Sequence, residues 1–139
     1  MDVWIRALMA MNVFIYRLTR GRLGSKMAGQ SVLLLHTVGH KSGAAYITPI
    51  NYYRDGEAYV VVASNWGKDS HPGWFYNLMH QGTATIQVKE RKIRVRARQA
   101  TGEEYARLWS TVTSLNDYYV GYQKQTKRRI PVVILELEI

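Results

Sequence analysis

The chain has 139 residues, 47% of them apolar, with 19 Lys and Arg against 10 Asp and Glu and no cysteine. That length suits one domain with a single core, and the missing thiols exclude disulfides, cysteine-ligated zinc and thiol chemistry. The net charge of +9 calls for an anionic partner: a phosphorylated cofactor, a membrane surface or a nucleic acid.

From Asp2 to about Thr19, Trp4, Leu8, Met11, Ile15 and Leu18 recur at three- and four-residue spacing, the apolar stripe of an amphipathic helix. Arg6, Asn12 and Arg17 interrupt it, which argues against a transmembrane span. No small-residue cleavage site follows, which argues against a signal peptide, and a cytoplasmic protein is expected. The basic run Arg17, Arg20, Arg22 and Lys26 suits peripheral contact with an anionic membrane. Gly21, Gly24 and Gly29 mark a loop, so residues 1–28 read as helix and basic loop and residues 29–139 as the β-rich body of one domain.

Val32–Val38 and Tyr46–Tyr53 read as strands joined through Gly39-His40-Lys41-Ser42-Gly43. Two glycines four residues apart allow a tight turn with φ > 0. Lys41 is a point charge for phosphate, and Ser42 and nearby N–H groups can donate hydrogen bonds. A plain strand–strand turn with a solvated lysine fits the same residues. Arg54-Asp55-Gly56 reads as an Asp-Gly hairpin leading into a strand over Glu57–Ser64. The polar loop Asn65–Gly73 has the length and composition of a functional loop. Trp74–Gln81 reads as a short helix ended by Gly82.

Thr83–Val88 and Lys92–Arg98 form a second hairpin, whose alternation Ile93-Arg94-Val95-Arg96-Ala97-Arg98 puts three arginines on one wet face. Thr101-Gly102-Glu103-Glu104 opens a helix to about Thr113. Tyr118, Tyr119 and Tyr122 sit on a following helix or lid. Val132–Leu137 is a last buried strand. Together these elements give an α+β domain on a small antiparallel barrel, and periodicity does not separate a split barrel from an OB-like one.

No pair among His36, His40, His71 and His80 has metal-ligand spacing with a carboxylate, so no metal is expected. Nothing resembles a nucleophile elbow around Ser31, Ser42, Ser64 or Ser70. The bases are spread along the chain without an aromatic-basic reader motif, so nucleic acid is not expected.

Six segments taken in order resemble one family: Val13–Gly29, Leu33–Gly43, Arg54-Asp55-Gly56, Ala63-Ser64-Asn65, Pro72-Gly73-Trp74 with Asn77, and Arg128-Arg129-Ile130-Pro131. The chain resembles the deazaflavin-dependent nitroreductases of the split-barrel flavin/deazaflavin oxidoreductase superfamily from about residue 12 onward. The resemblance implies a split β-barrel of the pyridoxamine-oxidase, FMN-binding type and the cofactor coenzyme F420, an 8-hydroxy-5-deazaflavin with a phosphate and an oligoglutamate tail, in preference to FMN. Lys41, Ser42 and Gly43 would hold the phosphate and tail; Ala63, Ser64 and Asn65 would line the ring; Gly73, Trp74 and Asn77 would close over it. Tyr119, Tyr122 and Trp66 would face the acceptor, a nitroaromatic, quinone or enone, with Tyr119 as proton donor. The alternative is a lipid-, haem- or flavin-binding protein on the same barrel. Tyr46 and Asn65 stand where the family often carries Arg and Lys, and Asn116 where it carries an aromatic. Arg54, Lys68 or the Arg94/Arg96/Arg98 strand would then supply the missing cations. The resemblance leaves the oligomeric state open.

Overall fold

The computed structural model describes residues 26–27 and 30–138; the helix expected over residues 2–19 lies outside them. The strands are β1 (Lys26–Met27), β2 (Gln30–Val38), β3 (Ala45–Asn51), β4 (Tyr53–Asp55), β5 (Ala58–Val62), β6 (Thr83–Val88), β7 (Arg91–Gln99) and β8 (Val132–Leu137). The helices are α1 (Gly73–Gln81), α2 (Gly102–Leu115) and α3 (Tyr118–Lys124). Every strand pairing is antiparallel, in the order β1-β2-β6-β7-β8-β5-β4, with β3 also paired to β2.

Two apolar clusters explain why some strands alternate and others do not. Leu33, Leu35, Tyr59, Val61, Phe75, Leu78, Ile86, Val95, Val133 and Leu135 fill the concave side of the sheet with α1. On the other side, Val60, Val62, Val132 and Ile134 pack against Tyr105, Leu108 and Val112 of α2 and Tyr119 of α3. β5 and β8 are buried on both faces and so read as unbroken apolar runs. β7 is buried on one face only, and its arginines line the other. There Arg98 pairs with Glu104 and Glu136, and Arg94 with Glu138. Exposed to solvent and salt, these pairs contribute little to stability.

Two local expectations change. The strand expected over Tyr46–Tyr53 breaks at Tyr52, whose N–H donates to Ser31 O at 3.0 Å. The chain turns a corner there, because β3 pairs with β2 while β4 pairs with β5. In the β4–β5 hairpin Asp55 pairs with Ala58, so the two loop residues are Gly56 and Glu57. Gly56 takes the first central position at φ +60, the type II′ arrangement in place of the Asp-Gly one. Elsewhere the helix over Trp74–Gln81 ends as expected, on Gly82 at φ +76. Thr101 holds the cap position of α2 without a side-chain hydrogen bond. Among the described residues no helix is long and apolar enough to cross a membrane.

Candidate active site

A cleft of about 840 Å³ opens between the β2–β3 turn and the loop that leads into α1. Its size suits a cofactor. Lys41 and Lys68 are among its lining residues, and no carboxylate is among the described residues that line it.

The first wall is the turn from Gly39 to Ala44. Gly39 N–H donates to Ala44 O at 2.7 Å and Gly43 N–H to Gly39 O at 2.9 Å. Ser42 Oγ accepts from Ala44 N–H at 3.2 Å, which leaves the hydroxyl proton free to donate. Of the two glycines only Gly43 occupies the left-handed region, at φ +72. Gly39 is there for room: a Cβ on it would stand 2.5 Å from Ser42 Oγ and 2.9 Å from the Tyr46 ring. Asn77 of α1 holds this wall. Its Oδ1 accepts the backbone N–H of His40 at 3.0 Å and lies 2.7 Å from His40 Nδ1. That nitrogen therefore carries a proton.

The second wall is built against backbone preference. Asn65, Trp66 and Gly67 take φ of +47, +60 and +78 in succession. Trp66 costs about 1–2 kcal/mol in that conformation, and Asn65, which tolerates it better, costs less. Three sets of contacts hold them. Gly67 N–H donates to Ser64 O and Lys68 N–H to Asn65 O, at 2.9 and 3.1 Å, while Asn65 Nδ2 donates to Ser70 O at 2.9 Å. Trp66 meets the Tyr122 ring edge-on at 6.3 Å. From behind, Arg128 donates to Lys68 O (2.8 Å), Ala63 O (3.2 Å) and Ser64 O (2.8 Å). Arg128 Nη1 also lies 2.9 Å from His71 Nδ1, which must accept because a guanidinium has no lone pair to offer. Burial and the neighbouring Arg128 charge both push the His71 pKa down.

Lys41, Ser42, Asn65, Gly73, Trp74 and Asn77 thus meet in one cleft. Gly43 shapes the turn, its own N–H being spent inside it. Ala63 is fully buried and, with Ser64, gives its carbonyl to Arg128 behind the wall. Of the cations expected to replace those missing at Tyr46 and Asn65, only Lys68 lines the cleft. Arg54 instead donates to Gly56 O and Glu57 O and lies over the Tyr59 ring.

Tyr122 touches Tyr118 and Trp66 in an exposed aromatic edge beside the second wall. Tyr119 is 5% exposed, and its hydroxyl accepts from Tyr53 at 3.0 Å in the second core. Burial pushes its pKa well above the ordinary tyrosine value.

Thr37, His40 and Arg128 receive no site role from the sequence, although all three fall within segments that carry the resemblance. Thr37 is 3% exposed on the cleft side, and its Oγ1 has no hydrogen-bond partner. The signal for it was present: a hydroxyl in register with Leu33 and Leu35 on one face of β2. An orphaned buried hydroxyl costs about 1–3 kcal/mol unless a ligand takes it up.

The model of the F420H2-dependent quinone reductase family matches residues 8–137. The chain belongs to that family. It is 42% identical over 125 residues to an F420H2-dependent quinone reductase of Mycobacterium tuberculosis, covering 87% of this chain and 84% of the other. A solved F420-H2 dependent reductase, FDR-A, superposes with TM-score 0.69 at 32% identity, over 76% of this chain and 93% of its own. A Listeria innocua structure given as a pyridoxamine 5′-phosphate oxidase shares the fold alone, with TM-score 0.55 at 11% identity over 93% and 94% of the two chains. The architecture is therefore the split barrel that the resemblance implied. As a member of the F420H2-dependent quinone reductase family the chain is an oxidoreductase whose cofactor is coenzyme F420.

The cleft fits that cofactor. A lining with two lysines and no acid suits phosphate and glutamate carboxylates. The space that a Cβ at Gly39 would fill keeps Ser42 and Tyr46 at the turn's inner edge, and Thr37 Oγ1 awaits a partner on the β2 side.

Proposed function

We propose that the chain binds F420 between the two walls of this cleft and reduces a quinone-type acceptor, in preference to a nitroaromatic or an enone. The observation that carries the proposal is the single cleft that joins Lys41 and Ser42 to Asn65, Lys68 and Trp74, with no acid among its described lining residues. Reduced F420, when bound, supplies a hydride. Lys41 and Lys68 hold its anionic groups and Ser42 donates its free hydroxyl proton. Asn65 offers the oxygen left over from its bond to Ser70. The half-buried Trp74 indole gives a flat ring a flat partner. The acceptor lies toward Trp66 and Tyr122, an aromatic edge suited to stacking on an electron-poor ring.

Fluorescence titration of the full chain with F420, and with FMN in parallel, tests the site. Lys41→Ala raises the F420 dissociation constant roughly tenfold, the loss of one charge-assisted hydrogen bond. An unchanged constant would take Lys41 out of the site. For Tyr119 the geometry supports a structural role over proton donation, since a phenol with a raised pKa is a weak acid. Tyr119→Phe then keeps turnover with a soluble quinone and lowers stability by about 1 kcal/mol; a tenfold loss of kcat would restore the donor role.

Membrane contact is a second reading, carried by the apolar stripe and basic run of residues 4–26. Flotation with anionic vesicles at low salt tests it, and a chain that stays at the bottom of the gradient excludes it.

A further inference from the structure

We infer that Arg128 is a positioning residue for the cofactor: it sets the left-handed turn that brings Asn65 and Lys68 into the cleft, without lining the cleft itself. The inference rests on F420 binding in that cleft.

A planar guanidinium fits this task because its N–H groups diverge in a fixed fork. Arg128 spends them on three carbonyls spread over six residues, those of Ala63, Ser64 and Lys68, and on His71 Nδ1. Those acceptors bracket the turn on both sides. The Ser64 carbonyl also receives Gly67 N–H, so one oxygen ties the arginine to the turn's own hydrogen bond. An amine on a flexible stem cannot reach all four acceptors at once.

Arg128 is itself held in place. Gln123 of α3 donates to Arg128 O at 2.7 Å and accepts from Ile130 N–H at 2.9 Å, which fixes the chain on either side of residue 129. The neighbouring Arg129 faces elsewhere, its guanidinium 3.6 Å over the Tyr105 ring. Only one of two adjacent arginines serves the wall. The path runs from α3 through residues 128–130 to the turn and then to the cleft.

The test uses the full chain as wild type, Arg128→Lys and Arg128→Ala. Amide hydrogen exchange reads Gly67 and Lys68, whose N–H groups close the turn, against Val61 and Val133 in the β5–β8 ladder. Arg128→Lys is expected to exchange faster at Gly67 and Lys68 only. Its F420 dissociation constant, read by fluorescence, rises at least tenfold, and the loss falls on that constant and not on kcat at saturating F420H2. Guanidinium at millimolar concentration partly restores F420 binding to Arg128→Ala, and methylammonium at the same ionic strength does not.

An F420 constant within twofold of wild type for Arg128→Lys overturns the inference. So does faster exchange spread evenly over Val61 and Val133, which would mark a general structural role. If the wild-type chain fails to bind F420, the cofactor assignment falls, and the exchange data alone still decide whether Arg128 holds the turn.

Discussion

The two walls of the cleft solve the same problem by opposite means. The β2–β3 turn is held mostly by its own backbone, with one glycine at positive φ and one glycine giving room. The Asn65–Gly67 turn has three consecutive left-handed residues and is held from far along the chain, by Arg128 and by α3 through Tyr122. A local turn tolerates change in the rest of the barrel. A clamped turn stores strain that distant contacts must offset, so the second wall is the one that distant substitutions can move.

The largest expected effect breaks the second wall directly. A Cβ on Gly67 would sit 3.0 Å from the Tyr122 backbone, at a φ of +78 that alanine rarely adopts. Gly67→Ala is expected to cost about 2–4 kcal/mol, a melting temperature lower by roughly 10 °C. Calorimetry showing a shift under about 2 °C would mean that the wall is softer than its contacts suggest.

Gly39→Ala should do the reverse. The backbone there is ordinary and the crowded atoms belong to Ser42 and Tyr46 side chains. The melting temperature holds while F420 binding weakens by roughly three- to tenfold, the loss of part of one hydrogen bond. Equal loss of stability and binding would show that the first wall also supports the fold.

The smallest effect is acid sensitivity confined to the second wall. His71 accepts from Arg128 and has a lowered pKa, so the unfolded chain binds its proton more readily than the native one. Stability from this contact is full above the ordinary histidine value of about 6.5 and is lost as pH falls through the lowered value. Melting temperatures taken from neutral pH downward should fall more for wild type than for His71→Gln, which keeps an acceptor for Arg128 and cannot titrate. Parallel curves would remove His71 from the clamp.

The same contrast separates what the sequence shows from what it hides. The glycine turn, the Gly82 helix end, the wet arginine face of β7 and the buried β8 all follow from spacings of a few residues. Asn65 and Gly67 hinted at left-handed backbone, since Asn and Gly accept it most readily, but Trp66 between them carries no such hint. Nothing near Arg128 tells it apart from Arg129, because the difference lies in which surfaces the folded chain lays beside each. Tyr119 matched an aromatic pattern, whereas its burial depends on the second core beneath α2 and α3. Thr37 lay between both cases: its register was readable and its missing partner was not.

β8 comes last of the strands in chain order yet lies between β7 and β5 in the sheet. Among the described residues, ladder hydrogen bonds connect the β2-β3-β6-β7 group to the β4–β5 hairpin only through it. Without residues 132–137, the edges of β7 and of the apolar β5 that β8 pairs would be left open. Such edges invite pairing with other chains. The Arg128 segment directly precedes β8 in the chain. The clamp on the second wall thus sits next in sequence to the strand that joins the two parts of the sheet.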